Sequence, residues 1–332
     1  MSRTPAGRPR AAGGPTGTGP DAGASLADPD PSAVLRRLEL AISRRLDGLL
    51  QGDYRGLVPG HGTEAGETRL YAPGDDVRRI DWNVTARLQA PHLRETIAER
   101  ELETWLLLDL SPSLDFGTAL CTKRDIALAA AAAACFLTGR AGNRLGAVLM
   151  TGQGVVTIPA ATGRNHLRAV LHRAITAPQG EGGGATDLVQ GLRHLVAPGH
   201  RRGLAVVVSD FLTPSAWERP LHMVAGRHEV LAVEVLDPRE LDLPDVGTLV
   251  VTDPETGRQR EVDTDRAGLR QRYAAAAQEQ RAAIARVLRQ AGTNHLVLRT
   301  DRDWLVDLVQ FVALRRHRID HLRRAAAAAG GR

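Results

Sequence analysis

The chain has 332 residues, which is enough for one large domain or two ordinary domains with a substantial core. Apolar residues make up 43% and aromatic residues 3% of the sequence, so that core must consist mainly of Ala, Val and Leu. The net charge of +5 arises beyond Phe311, where six arginines stand against Asp320. A basic tail can touch phosphate or a membrane surface non-specifically, but it disfavours a specific nucleic-acid-binding groove.

The termini and the cysteines indicate the compartment. Residues 1–30 are rich in Pro, Gly, Thr and Ala and have no apolar run between charges, which predicts a disordered tail and not a signal peptide. The longest apolar run, Ile126 to Leu137, is too short to cross a bilayer. Cys121 and Cys135 lie in one predicted helix, too far apart to pair within it. We expect a cytoplasmic protein with reduced thiols and no integral membrane segment.

Residues 31–100 form the next unit, which we expect to combine a helix with a β-rich segment. Apolar positions between Pro31 and Leu50 recur at the helical period. Further on, Pro73 and Gly74 open a turn, and charged residues then alternate with apolar ones. This charged stretch is either a structural network of ion pairs or a partner-binding surface centred on a tryptophan. The candidate partner-binding residues are Asp75, Asp76, Arg78, Asp81, Trp82 and Arg87.

Residues 101–250 alternate apolar strands with helices. An alternating strand predicted over residues 92–102 leads into this unit. Within the unit, strands are predicted over residues 105–108, 145–150, 155–158, 204–210 and 230–235, and helices over 122–138, 165–176, 188–196 and 214–225. Strands alternating with helices of this length predict right-handed crossovers. The fold class we expect is therefore α/β, a doubly wound and mostly parallel sheet with helices on both faces.

Residues 251–332 are expected to complete this fold. They contain a predicted hairpin around Glu255 to Gly257, a helix over 266–290, a strand over 295–299 and a closing helix over 304–328 that carries the basic tail.

Oxygen-bearing side chains follow three of these segments. Asp109, Ser111 and Ser113 end a strand with no polar residue before them, Thr186 lies in a glycine-rich loop, and Asp210 ends another apolar strand. Ligands of open α/β sheets bind beyond the carboxyl ends of the strands. Hard oxygens suit Mg²⁺ or Mn²⁺, with Ca²⁺ as an alternative, and neutral hydroxyls leave the cation open to an incoming carboxylate. The same residue types also cap helices and make turns for structural reasons alone.

These residues resemble a known motif. Asp109-x-Ser111-x-Ser113, together with the segment 183–187 that contains Thr186 and the segment 207–210 that ends in Asp210, is similar to the metal-ion-dependent adhesion site of von Willebrand factor A domains. The resemblance implies that these five residues bind a divalent cation directly or through water. It also implies that an acidic residue of a partner completes the coordination shell.

A second resemblance covers about residues 46–315. The stretch from Arg69 to Arg87, with its Pro-Gly-Asp-Asp turn and Ile80-Asp81-Trp82, is similar to the hallmark of the bacterial uncharacterised domain family fifty-eight, and Asp253 to Gly257 resembles the later hairpin of that family. This resemblance implies association with a MoxR-class AAA+ ATPase. Many relatives begin with two membrane helices, which this sequence lacks.

Three functions are compatible with these features. The first is a metal-dependent protein-binding adaptor or co-chaperone, the second a metal-assisted phosphohydrolase that uses Asp109, and the third a nucleic-acid binder that uses the arginine tail. The only lysine, Lys123, lies outside any G-x-x-x-x-G-K-[ST] sequence, so a P-loop mechanism is excluded. We expect a binding protein and not an enzyme, with a client that the sequence does not identify.

Overall fold

The computed structural model describes residues 33–40, 42, 68–71, 77, 80, 82–94, 103–140, 143–179, 187–197 and 199–315. The predicted N-terminal tail, most of the basic C-terminal tail and five predicted site residues lie outside the described residues. Those five are Asp75, Asp76, Arg78, Asp81 and Thr186.

The described elements alternate in type along most of the chain. The helices are α1 (33–40), α2 (Trp82–Leu88), α3 (Lys123–Arg140), α4 (Arg164–Ile175), α5 (Leu188–Leu195), α6 (Glu218–Arg227), α7 (Ala267–Gln290) and α8 (304–315). The strands are β1 (Thr68–Leu70), β2 (His92–Arg94), β3 (Glu103–Leu110), β4 (Arg144–Thr151), β5 (Gly154–Ala161), β6 (Gly203–Ser209), β7 (Glu229–Leu236), β8 (Thr248–Thr252), β9 (Gln259–Asp263) and β10 (Asn294–Arg299).

One six-stranded sheet organises the fold, with the strand order β10-β7-β6-β3-β4-β5. All neighbouring strands are parallel except β5, which returns antiparallel from β4 as the predicted hairpin. The α/β fold class and the mostly parallel sheet are therefore confirmed. Because β10 pairs with β7, the segment beyond residue 250 contributes to the same sheet as residues 101–250.

Alternate residues of β3 face two separate cores. Leu106, Leu108 and Leu110 pack with α1, α3, α4 and α8 on one face of the sheet. Trp105 and Leu107 pack with α5, α6 and α7 on the other face. A strand buried on both faces favours apolar residues at successive positions, which accounts for the run from Trp105 to Leu108. The buried polar residues Glu103 and Thr104 stand at the start of β3, before this run.

The N-terminal unit is described in part. Within the described residues, β1 and β2 are a short antiparallel pair, and α2 lies between them in the sequence. The Thr85 hydroxyl of α2 accepts a hydrogen bond from the His92 backbone N–H at 3.0 Å, which ties α2 to β2.

Where the structure describes them, the predicted bounds of helices and strands lie within about three residues of the observed ones, except at the start of α6. The helix predicted over 214–225 begins only at Glu218, because the Thr213 and Ser215 hydroxyls bond to each other at 2.8 Å and the Ser215 carbonyl accepts the Trp217 N–H. Because of this local turn, the helix begins only after Trp217, whose side chain packs in the core. The strand predicted over 92–102 is described only as β2, since residues 95–102 lie outside the described part. Among the described residues, no helix is long and apolar enough to cross a membrane.

Candidate functional site

Strand register brings the first two site residues together. Leu108 of β3 is opposite Val208 of β6, so the residues that follow, Asp109 and Ser209, are neighbours at the carboxyl edge of the sheet. The Ser209 hydroxyl donates a 2.7 Å hydrogen bond to Asp109 Oδ2. Asp210 comes next in the chain, where β6 ends, and it is buried like Asp109.

The two serines connect the carboxylates. The Ser111 backbone N–H donates to Asp109 Oδ1 at 3.0 Å, and the Ser111 and Ser113 hydroxyls lie 3.0 Å apart. The Ser113 side chain in turn lies close enough to the Asp210 carboxyl to lower its pKa. A turn of 3₁₀ helix over Pro112–Asp115 produces this geometry, because it folds the chain back directly after β3. Asp109, Ser111, Ser113 and Asp210 thus form one continuous group of oxygen atoms, which we call the oxygen cluster.

The two carboxylates of the oxygen cluster differ in their electrostatics. Burial raises the pKa of the Asp109 carboxyl to about 6, and the negative charge of Asp210 adds to this rise. Burial also opposes ionisation of Asp210, but the Lys123 ammonium beside it outweighs burial and holds the pKa of that carboxyl below its ordinary value. The protein therefore stabilises the ionised form of Asp210 and destabilises the ionised form of Asp109.

A buried cation beside the oxygen cluster was missed by the sequence reasoning. Lys123 begins α3 and is only 1% exposed. Its Nζ lies 2.7 Å from Asp210 Oδ2 and 2.5 Å from Glu240 Oε1. Arg281 of α7 extends this charged group, since it donates to the Asp210 carbonyl at 3.0 Å and to Glu240 Oε2 at 2.9 Å. The sequence distinguished Lys123 only as its single lysine. That observation did not indicate which carboxylates Lys123 contacts.

The β8–β9 hairpin also reaches the oxygen cluster. The Ser113 backbone N–H donates to Glu255 Oε1 at 3.3 Å across 142 residues of sequence. Asp253 shapes the tip of this hairpin by accepting hydrogen bonds from the Glu255 N–H and the Thr256 hydroxyl. The sequence indicated the hairpin but no contact with the site.

Asp237, at the end of β7, fixes the loop that leads into α3. It accepts hydrogen bonds from the Thr118 N–H at 2.8 Å, the Thr118 hydroxyl at 2.6 Å and the Thr300 hydroxyl at 2.7 Å. Burial opposes ionisation of Asp237, but these hydrogen bonds lower the pKa of its carboxyl below the ordinary value. Phe116 and Leu120 of the same loop are exposed.

The chemistry of the oxygen cluster fits a divalent cation. Its donors are carboxylate and hydroxyl oxygens, the hard ligands that Mg²⁺ and Mn²⁺ prefer. Across the part of the chain that the structure describes, no group of three or more His, Cys, Asp or Glu side chains is arranged to hold a metal ion. A cation at this edge would therefore depend on Ser111 and Ser113 as much as on the two carboxylates.

The second predicted surface is described only in part. Trp82, at the start of α2, is 70% exposed, and Arg87 near its end is exposed as well. No residue of α2 is buried. The other four residues assigned to this surface lie outside the described residues.

The family comparison decides the identity of the hallmark segment. Residues 67–283 match the family model described as "Protein of unknown function DUF58". The chain belongs to this family. The match begins within two residues of Arg69 and includes the oxygen cluster and the β8–β9 hairpin, so the DUF58 family resemblance seen in the sequence is confirmed.

Two mycobacterial relatives align with large parts of the chain. Uncharacterized protein Rv1480 of Mycobacterium tuberculosis (strain ATCC 25618 / H37Rv) is 55% identical over 289 residues, covering 87% of this chain and 91% of the relative. Uncharacterized protein MAV169 of Mycobacterium avium is 48% identical over 159 residues, covering 48% of this chain and 94% of the relative.

Solved structures align at low identity. The conserved hypothetical protein BatB from Bacteroides thetaiotaomicron aligns with a TM-score of 0.36 and 12% identity, covering 65% of this chain and 99% of that one. The SpRpn10 VWA domain aligns with a TM-score of 0.36 and 11% identity, covering 63% and 93%. The fold class therefore rests on the strand order and the two-sided core, and not on these alignments.

Proposed function

We propose that this DUF58 protein is a metal-dependent interaction adaptor or co-chaperone that works with a MoxR-class AAA+ ATPase. The observation that carries the proposal is the oxygen cluster, which brings two serine hydroxyls and two carboxylates together at the carboxyl edge of a parallel sheet. Ligands of open α/β sheets bind at this edge. The MoxR-class partner comes from the family resemblance alone.

Asp109, Ser111, Ser113 and Asp210 are the residues that would hold the cation, with Thr186 as a fifth ligand. A divalent cation held there supplies an open coordination position for a carboxylate of the partner. Hydrogen bonds from Ser209 and the Ser111 backbone orient Asp109 before any ligand arrives. The 3₁₀ turn holds the two serine hydroxyls side by side, so the site is preorganised for binding.

Burial of Asp109 argues against a phosphohydrolase in which this carboxylate is the nucleophile. A nucleophilic aspartate needs an oxygen exposed to the substrate. Asp109 is 6% exposed, and each of its carboxylate oxygens already accepts a hydrogen bond. The free thiols of Cys121 and Cys135 suit a reducing compartment, so we place this function in the cytoplasm.

Trp82 and Arg87 of α2 are proposed as a second contact surface. Tryptophan and arginine are enriched among the residues that dominate binding energy at protein interfaces. A tryptophan that is 70% exposed is available for such a contact at no cost to the core.

The test is capture of a purified MoxR-class ATPase by the immobilised full-length protein, in Mg²⁺ and in chelator. We expect the double variant Ser111→Ala/Ser113→Ala to weaken capture in Mg²⁺ by about tenfold or more, equivalent to about 1.4 kcal/mol of binding free energy. Both hydroxyls are lost, whereas the two carboxylates and the fold remain.

A matched control is the hydroxyl pair Thr213 and Ser215, whose oxygens lie 2.8 Å apart in the loop after β6. The double variant Thr213→Ala/Ser215→Ala should capture the ATPase as the wild type does. Capture that is insensitive both to chelator and to loss of Ser111 and Ser113 would remove the metal-dependent adaptor proposal.

A further inference from the structure

Lys123 places a positive charge beside the proposed cation site. Its ammonium is buried and contacts Asp210 Oδ2 at 2.7 Å and Glu240 Oε1 at 2.5 Å. The other oxygen of Asp210 accepts the Leu212 N–H at 3.0 Å. A cation that recruits Asp210 must therefore share this carboxylate with Lys123 or take it over.

Glu240 gives Lys123 a second position. Its Oε2 accepts hydrogen bonds from Arg281 at 2.9 Å and from the Asp237 N–H at 3.1 Å, so the carboxylate stays fixed whatever Lys123 does. Lysine carries a compact charge on a flexible four-carbon stem. The ammonium can thus leave Asp210 and remain paired with Glu240, without becoming a buried unpaired charge.

We propose that Lys123 is a built-in counter-ion of the cation site, which neutralises Asp210 in the metal-free protein and yields that carboxylate to a divalent cation by moving fully onto Glu240. This proposal rests on the proposed function, because it assumes that Asp210 is a metal ligand. It assigns Lys123 the role of setting the metal concentration at which the site fills.

The sign of the effect follows from charge. The oxygen cluster with Lys123 carries two carboxylates and one ammonium, and a divalent cation is repelled by that ammonium. Replacing Lys123 with methionine keeps an unbranched chain of similar length and removes the charge. We expect Lys123→Met to bind Mn²⁺ and Mg²⁺ at least about tenfold more tightly than the wild type.

Two further variants keep this test interpretable. Lys123→Met leaves Glu240 beside one cation fewer, so the double variant Lys123→Met/Glu240→Gln restores the charge balance if the single variant folds poorly. Arg124→Met is the matched control, since Arg124 is the adjacent buried cation and donates to Asp115 and to the Leu110 and Pro178 carbonyls. It removes the same net charge, and we expect its metal affinity to stay within about threefold of the wild type.

Metal binding is measured on the full-length proteins by titration calorimetry with Mn²⁺ and Mg²⁺, together with the metal-induced shift in Tm. Because Lys123 is the only lysine in the sequence, ¹³C,¹⁵N-lysine labelling of the wild type gives one side-chain signal. We expect Mg²⁺ to shift the Lys123 Cε and Nζ resonances with the same midpoint as the calorimetric titration.

Two results would overturn the role of Lys123. One is equal metal affinity in the wild type and in the Lys123 variants. The other is a Lys123 signal that does not change at saturating Mg²⁺. Neither result depends on a partner protein. If the wild type binds metal but the Lys123 signal does not change, the role of Lys123 is wrong and the adaptor proposal is unaffected. Absence of metal binding in every variant would end both proposals.

Discussion

Replacing Asp109 with asparagine should stabilise the metal-free protein at neutral pH. The pKa of the Asp109 carboxyl rises from 3.8 to about 6 on folding, chiefly because of burial. A rise of about two units corresponds to about 3 kcal/mol, the cost of keeping Asp109 ionised in the folded state. Asparagine removes this cost, keeps an acceptor for the Ser111 N–H, and can donate to the Ser209 hydroxyl. Allowing for weaker hydrogen bonds, we expect a gain of about 1–3 kcal/mol in the free energy of unfolding.

The pH dependence has a definite sign. Because the folded-state pKa of Asp109 is raised, its contribution to stability is complete below about pH 4 and is lost as the pH rises to about 6. The advantage of Asp109→Asn should therefore be small at pH 4.5 and reach its full size above pH 6.5. Urea unfolding in chelator, followed by circular dichroism at pH 4.5, 6.0 and 7.5, measures this difference.

Asp237→Asn is the matched control of opposite sign. Hydrogen bonds hold the pKa of Asp237 below its ordinary value, so its contribution is present at neutral pH and is lost as the pH falls below about 4. We expect this variant to lose about 2 kcal/mol at pH 7.5. The reasoning is refuted if Asp109→Asn is as destabilising as Asp237→Asn at pH 7.5, or if its advantage is the same at pH 4.5 and 7.5.

Two further pairs of variants test packing and the second surface. A Cβ at Gly203 would lie 1.8 Å from the Glu103 carbonyl oxygen, so Gly203→Ala should separate β3 from β6 and lower the free energy of unfolding by about 3 kcal/mol or more. A Cβ at Gly226 would meet nothing within 4 Å, so Gly226→Ala should be neutral or stabilising. Urea unfolding compares the two variants, and equal stabilities would contradict the close approach of β3 and β6 at Gly203. Trp82→Ala should change stability by less than about 0.5 kcal/mol but weaken ATPase capture, whereas Trp217→Ala, at a buried position, should cost about 3–5 kcal/mol. Unchanged capture by Trp82→Ala would remove α2 from the proposed interface.

Local patterns in the sequence determined much of the fold. The run from Trp105 to Leu108 has no polar residue, and a run of this length that ends in polar residues is typical of a strand covered on both faces, so β3 and the two-sided core were both predictable. The position of Asp109 and Asp210 at one edge of the sheet was also predictable, because the carboxyl ends of parallel strands lie at the same edge. Boundaries were harder to predict, as α6 shows, since hydroxyl bonds between Thr213 and Ser215 compete with the helix.

Only the tertiary structure decided what surrounds the oxygen cluster. Lys123 reaches Asp210 across 87 residues and Glu240 across 117, and Ser113 meets Glu255 across 142. These contacts form because the crossover connections and the β8–β9 hairpin fold back over the same edge of the sheet. The periodicity of apolar residues in the sequence does not predict such long-range contacts. The sequence motif predicts which oxygen atoms are candidate cation ligands. The buried Lys123 ammonium beside Asp210 could be found only from the tertiary structure.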